Sequence, residues 1–466
     1  MAFVQSFGAA ETVTGSCHIL KLENGFTVMV DCGMYQGEEL ESLNYNPFGF
    51  KARDIDILLI THAHLDHVGR IPKLVKEGFN GKIVTLKSTM DLAEVVLLDA
   101  AHLMKEDYKT RYRKAQRKGT EKRVVKPLYD VDDVEKVFSL PIEYVYYEQR
   151  IKLSKGVWAI FRNAGHILDS ATVEISFREN GKTKKVVFSG DLGNKNDMVM
   201  PKPSQVYKAD ALFIESTYGD RNHKSMKESI EEFKGAILRT LLNGGNVIIP
   251  SFAIERTQEL LCILKEMYDK RELPYCKVYL DSPMAITATD IYNIYHSELS
   301  KHCNYFLKRD GSIFDFPYLK YVLRNEDSKK INDEESGCII IAGSGMCTGG
   351  RILHHFKHRL WNPKNSVLFV GYQAEGTLGR EIVEGAKRIK IYNEEIVIKA
   401  KIYTINGFSA HADQRELIEW MEGFKKLDKI FLIHGEREKQ EVFKNAIFKR
   451  LGKKAHIVKL QEIIRI

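Results

Sequence analysis

The sequence predicts an α/β fold in which one α/β domain is inserted into another, and three observations predict it. The first is the cluster Thr61-His62-Ala63-His64-Leu65-Asp66-His67, which follows the apolar run at 55–60, so that a buried strand exits into a turn and a helix. The second is a run of hairpin-forming strands with Asn24-Gly25 and Asn180-Gly181 at their turns. The third is a change of pattern from residue 219, where helices and strands alternate as they do around a parallel sheet.

Length and composition bound the rest. A chain of 466 residues is enough for two or three domains with real cores. Hydrophobic residues make up 44% and charged residues 28%, and no apolar run approaches the roughly 20 residues of a membrane span. The start Met1-Ala2-Phe3-Val4-Gln5-Ser6 lacks a basic region followed by an apolar stretch, so a cytoplasmic location without membrane attachment is expected. Seven scattered cysteines with no C-x-x-C pair argue against a disulfide framework and a thiolate zinc site. A formal charge of +8 permits a polyanionic partner.

Taken in order, residues 15–22 and 26–33 read as two strands, the second ending in Asp31, a candidate to hold a ligand imidazole from behind. His62 and His64 lie two apart on extended backbone and point the same way, while Asp66 and His67 fall on the turn and face a second ion nearby. Imidazole with carboxylate and no thiolate suits zinc, with manganese and iron as alternatives. A strand at Lys82–Leu86 and a helical pattern over 89–105 follow, then a basic stretch over 109–126. That stretch reads either as an arm that tracks phosphates, with Tyr108 and Tyr112 to stack on bases, or as a solvated charged helix. Strands are expected at 143–147, 157–162, 172–178 and 184–189, with His166 and Asp191 in loops after strands, where they complete two ions. The strand at 210–215 ends in Glu215.

Within the inserted domain, Gly343-Ser344-Gly345-Met346-Cys347-Thr348-Gly349-Gly350-Arg351 follows a strand and opens a helix. Its free backbone N–H groups can cradle a phosphate, with Arg351 adding charge. The Lys of a nucleotide-binding G-x-x-x-x-G-K-[ST] loop is missing, so substrate phosphate is favoured over ATP. Arg256 and Arg380, near expected helix N-termini, are candidates of the same kind. The chain then returns through strands at 388–392 and 396–405 to His411 and, after a strand at 429–433, to His434.

Together these residues resemble the metallo-β-lactamase fold and, within it, the β-CASP family of nucleic-acid-processing nucleases. His62-Ala63-His64-Leu65-Asp66-His67 matches the H-x-H-x-D-H signature, and Asp31, His166 and Asp191 match the other motifs of the fold. Glu215 in Glu-Ser-Thr-Tyr-Gly, His411 in Ser-Ala-His-Ala-Asp and His434 in His-Gly-Glu match the β-CASP additions. The resemblance implies an αββα sandwich with an inserted β-CASP domain: residues 1–218 and 396–466 form the metallo-β-lactamase domain and 219–395 the insertion. It implies two zinc ions per chain, one on His62, His64 and His166, the other on Asp66, His67 and His434, with Asp191 between them. It gives His411, kept protonated by Glu215, the role of acid toward the departing ribose oxygen, and Asp66 a place among the catalytic groups as well as the ligands.

Glu215 and His434 resemble the RNA-directed branch, so single-stranded RNA is the implied substrate, cut as endonuclease or 5′-exonuclease, and a homodimer the implied assembly. The chain looks like prokaryotic relatives of the nuclease subunit of the cleavage and polyadenylation specificity factor. Two other classes compete: a hydrolase of small thioesters or lactams, which shares H-x-H-x-D-H, and a non-catalytic RNA-binding scaffold. The first has no use for the His411–Glu215 pair, and the filled ligand positions disfavour the second.

Overall fold

A computed structural model describes residues 1–37 and 39–466. The chain divides into two compact units. One holds Met1–Lys195, Lys202–Asn222 and His411–Ile466, the other Asn196–Pro201 and His223–Ala410.

The first unit is built on two seven-stranded sheets. In one, the antiparallel strands Phe3–Gly8, Cys17–Lys21 and Thr27–Val30 lead into the parallel strands Ile57–Leu59, Lys82–Leu86 and Ile142–Val145. Ile57-Leu58-Leu59 is buried throughout, as the continuous apolar run predicts for a parallel strand covered on both faces. In the other sheet, Arg150–Ser154, Val157–Asn163, Ala171–Glu179 and Lys182–Phe188 form an antiparallel meander. Lys208–Ile214, Lys426–Leu432 and Ala455–Ile457 then continue it in parallel. The inner faces meet in one core, where Val30, Leu59 and Val84 pack with Phe161, Ile175, Phe188 and Phe213. Phe188, Phe213 and Phe431 stack in a row at 5.0 and 4.8 Å. Burying each such side chain contributes about 1.5–3 kcal/mol. On the outer face of the second sheet, Leu212, Ile214 and Ile430 pack with Leu417, Trp420, Phe443 and Ile447. The last four come from the helices Gln414–Glu422 and Arg437–Leu451.

Parallel pairing is what builds the site. Strands that run together end together, so the residues just beyond Val30 and Leu59, and those beyond Phe188, Ile214 and Leu432, are brought side by side. Those residues are Asp31, the cluster from His62 to His67, Asp191, Glu215 and His434.

The second unit carries a six-stranded sheet paired in parallel throughout. Its order is Leu319–Tyr321, Lys277–Asp281, Cys338–Ala342, Val247–Pro250, Ser366–Phe369, Lys401–Thr404. The single strand expected at 396–405 is two elements. Glu394–Val397 closes a hairpin with Arg388–Ile391, and Lys401–Thr404 joins the sheet of this unit beside Ser366–Phe369. The backbone N–H groups of Lys399 and Ala400 both donate to Leu360 O at 2.9 Å and make the break. The chain therefore rejoins the first unit at His411, later than residue 396. The helix expected over 89–105 runs from Lys87 to Gln116 and takes in much of the basic stretch. Among the described residues no helix is long and apolar enough to cross a membrane.

Candidate metal centre and active site

His62, His64, His166 and Asp191 place one ligand atom each within 4.8 Å of one another, and so do Asp66, His67 and His434. Asp191 joins the two groups. Its Oδ2 lies 3.4 Å from His62 Nε2, 3.4 Å from His67 Nε2 and 3.6 Å from His166 Nε2, and its Oδ1 lies 3.7 Å from His434 Nδ1. Asp66 Oδ2 is 3.4 Å from His434 Nε2.

The backs of the imidazoles are held so that their free nitrogens face inward. Asp31 Oδ2 accepts from His67 Nδ1 at 2.8 Å, while the same carboxylate takes the Thr61 N–H and Thr61 Oγ1–H, each at 2.8 Å. With its proton on Asp31, the Thr61 hydroxyl can only accept from His62 Nδ1, 3.0 Å away, which leaves Nε2 of His62 with its lone pair turned to the centre. Thr217 Oγ1 sits 3.1 Å from His434 Nδ1 and does the same service there. Burial, with His62 next, lowers His64 to about 3. Burial also lowers His62, aided by His67, and takes His166 well below its ordinary value, aided by His411. Three neutral imidazoles thus offer lone pairs into one space. His67 is the exception: burial opposes its charge, but Asp191 and Asp31 outweigh burial and raise it well above the ordinary value. The two carboxylates stabilise positive charge at this point.

The donor set fits divalent cations. His62 Nε2 and Asp191 Oδ1 are buried without a hydrogen-bond partner among the described residues. His166 Nε2 faces His64 Nδ1 at 3.1 Å and His67 Nε2 faces His434 Nε2 at 3.2 Å, so pairs of ring nitrogens converge as ligands do. Backbone packing fixes these loops closely. A Cβ on Gly33 would fall 1.5 Å from Asp66 O, and one on Gly193 1.7 Å from Gly165 O, beside His166.

On the rim, His411 is paired with Glu215, a fully buried acid whose Oε1 accepts the Leu192 N–H at 2.7 Å. His411 Nδ1 lies 3.3 Å from both Glu215 oxygens, and its ring is 4.4 Å from that of His166. Burial works against charging His411, yet the Glu215 carboxylate outweighs it and raises the imidazole to about 9. With 21% of its side chain exposed, His411 can hold a proton and still reach a bound substrate.

Models of three families match the chain in succession. The metallo-β-lactamase superfamily covers residues 11–143, the β-CASP domain 257–382, and a Zn-dependent metallo-hydrolase RNA specificity domain 395–458. A ribonuclease of Thermus thermophilus is 40% identical over 93% of this chain and 93% of its own length. The chain belongs to the β-CASP family of the metallo-β-lactamase superfamily. Transcription termination factor FttA of Methanocaldococcus jannaschii is 32% identical over 99% of this chain and 71% of its own length. An RNase J-like protein of the same organism is 31% identical over 97% of this chain and 96% of its own length. A metal-dependent hydrolase is what this family membership and the His/Asp clusters describe.

The β-CASP unit treats its expected phosphate contacts unequally. Ser344, Gly345, Thr348, Gly349 and Gly350 come together in one loop: Ser344 Oγ accepts the Thr348 N–H at 3.0 Å, and Gly345 O accepts from Gln373 Nε2 at 2.9 Å. The space beside Gly349 is open. Arg351 is turned inward. Its Nη1 donates to Asp281 Oδ1 at 2.7 Å and Val322 O at 2.8 Å, and its Nη2 to Leu323 O at 2.7 Å and Asn325 Oδ1 at 2.8 Å. No Nη hydrogen is left for a phosphate. Arg256 is likewise buried, its guanidinium in contact with Glu259 and with Glu255 at 3.4 Å, and Arg380 pairs with Glu384 at 2.7 Å. Sequence reasoning missed Thr61 and Thr217; the available signal was a hydroxyl residue close to ligands at strand ends.

The Asp31 contacts carry a prediction. Asp31→Asn removes the charge behind His67 and one acceptor of the Thr61 hydroxyl. Metal affinity is expected to fall about 10–100-fold in competition with a chromogenic chelator; unchanged affinity would reduce Asp31 to a turn residue.

Proposed function

We propose that this β-CASP chain is a zinc-dependent ribonuclease that hydrolyses RNA phosphodiester bonds, with two zinc ions per chain and 5′-phosphate and 3′-hydroxyl products. The observation that carries the reading is a protonated acid beside a double ligand set: His411, backed by Glu215, stands 4.4 Å from the His166 ring. A thioester or lactam hydrolase of this fold needs the ligand set alone, whereas expulsion of a ribose oxygen gains from a dedicated acid.

In this reading His62, His64 and His166 would hold one ion and Asp66, His67 and His434 the other, with Asp191 within reach of both groups. Bound divalent cations supply the Lewis acidity that makes water nucleophilic at neutral pH and offsets phosphate charge. The chain's own residues do the rest. Asp31 and Thr61 fix the imidazole tautomers, Glu215 orients His411 through Nδ1–H, and His411 Nε2–H is delivered to the leaving oxygen. The loop from Ser344 to Gly350 contacts the RNA backbone through its amides. The names of the relatives, ribonuclease and RNase J-like protein, support RNA as the substrate.

The test uses 5′-end-labelled single-stranded RNA, with and without chelator. Internal fragments or labelled mononucleotide, abolished by chelator and restored by zinc, are expected, and the product lengths separate endonuclease from 5′-exonuclease. Intact RNA together with turnover of a thioester would overturn the proposal.

A further inference from the structure

We propose that residues 102–126, in the metallo-β-lactamase unit, form a cationic arm that binds single-stranded RNA through its phosphates, separately from the metal ligands; this rests on the ribonuclease reading. The segment contains ten lysines and arginines against three acids, so it carries +7 of the chain's +8. Nearly all of the net charge is therefore concentrated in 25 residues.

The structure presents this charge to solvent. The helix Lys87–Gln116 buries nine side chains between Ser88 and Ala101 and none beyond. From His102 to Lys126 no residue is buried, and the short turn Glu121–Arg123 follows the helix. A segment that buries nothing contributes little to the core.

The pattern of the charge also favours a ligand over a solvated face. Lys105, Lys109, Arg113 and Arg117 recur every four residues and line one face in steps of about 6 Å. Like charges at that spacing repel and weaken a helix, so a helix serving the fold alone would gain from mixed signs. Glu106 pairs with Lys109 and Asp107 with Arg111, each at 2.7 Å. Among the described residues no ion pair engages Lys105, Arg113, Lys114, Arg117 or Lys118. These five cations, without an ion-pair partner among the described residues, suit the repeating anions of a nucleic-acid backbone. Tyr108 and Tyr112, half-buried and 5.6 Å apart on the same helix, offer ring faces to unpaired bases, which favours a single strand over a duplex.

The test compares the full chain with a variant carrying Lys109→Ala, Arg113→Ala, Lys114→Ala, Arg117→Ala and Lys118→Ala, changes that keep helix propensity. Binding of a labelled single-stranded RNA is followed by anisotropy in chelator across a salt series. The variant is expected to bind roughly tenfold or more weakly at low salt, with a plot of log affinity against log salt shallower by about three. Its zinc content and melting temperature should match the parent's. A second variant, Arg113→Gln with Arg117→Gln, should lower the slope by about one and covers the case in which the fivefold change unfolds the arm. Equal affinity and slope in parent and variants would make the arm a solvated face and leave the ribonuclease reading intact. Failure of the parent itself to bind or cut RNA would overturn that reading, and the arm proposal with it.

Discussion

Asp191→Asn is expected to empty the metal centre and to lower RNA hydrolysis by at least about 10³-fold. Asp191 has the only carboxylate within 4 Å of four imidazoles among the described residues, those of His62, His67, His166 and His434. Each histidine taken singly is one donor of several in its group, whereas Asp191 faces both groups at once. Asparagine keeps its shape and buries equally well, so the loss would report charge rather than packing. Elemental analysis of the purified variant checks the first part and turnover on labelled RNA the second. Full metal content combined with lost turnover would move Asp191 from ligand to some other role.

The centre was legible because its residues sit where apolar runs stop. Asp31, His62, Asp191, Glu215 and His434 each follow a strand whose burial is written in its composition, and parallel pairing carries those ends together without further instruction. Residues whose role depends on a distant partner were not legible. Arg351 follows a glycine-rich loop, as a phosphate ligand would, but Asp281, 70 positions earlier, claims its guanidinium. Arg256 was hidden in the same way by Glu255 and Glu259. The break at Lys399 and Ala400 was missed because it depends on the carbonyl of Leu360 rather than on any turn residue. Thr61 and Thr217 touch the backs of ligand imidazoles; their place beside ligands at strand ends is a sequence signal, but one shared with many ordinary strand-end threonines.

The second large effect concerns the proton. His411→Ala is expected to lower RNA hydrolysis by about 10²–10⁴-fold while leaving metal content unchanged, because His411 lies beside the ligand set and belongs to neither ligand group. Glu215→Gln separates this role from a structural one. Burial alone would keep His411 neutral, and the Glu215 carboxylate is what raises it to about 9. A reaction that needs protonated His411 therefore proceeds below that pH and is lost as pH rises through it. Glutamine still accepts the Leu192 N–H but carries no charge, so the alkaline limb of the pH–rate profile should move to lower pH. A parallel loss at every pH, or release of metal from either variant, would show that the pair supports the loops around His166 and Gly193 rather than delivering a proton.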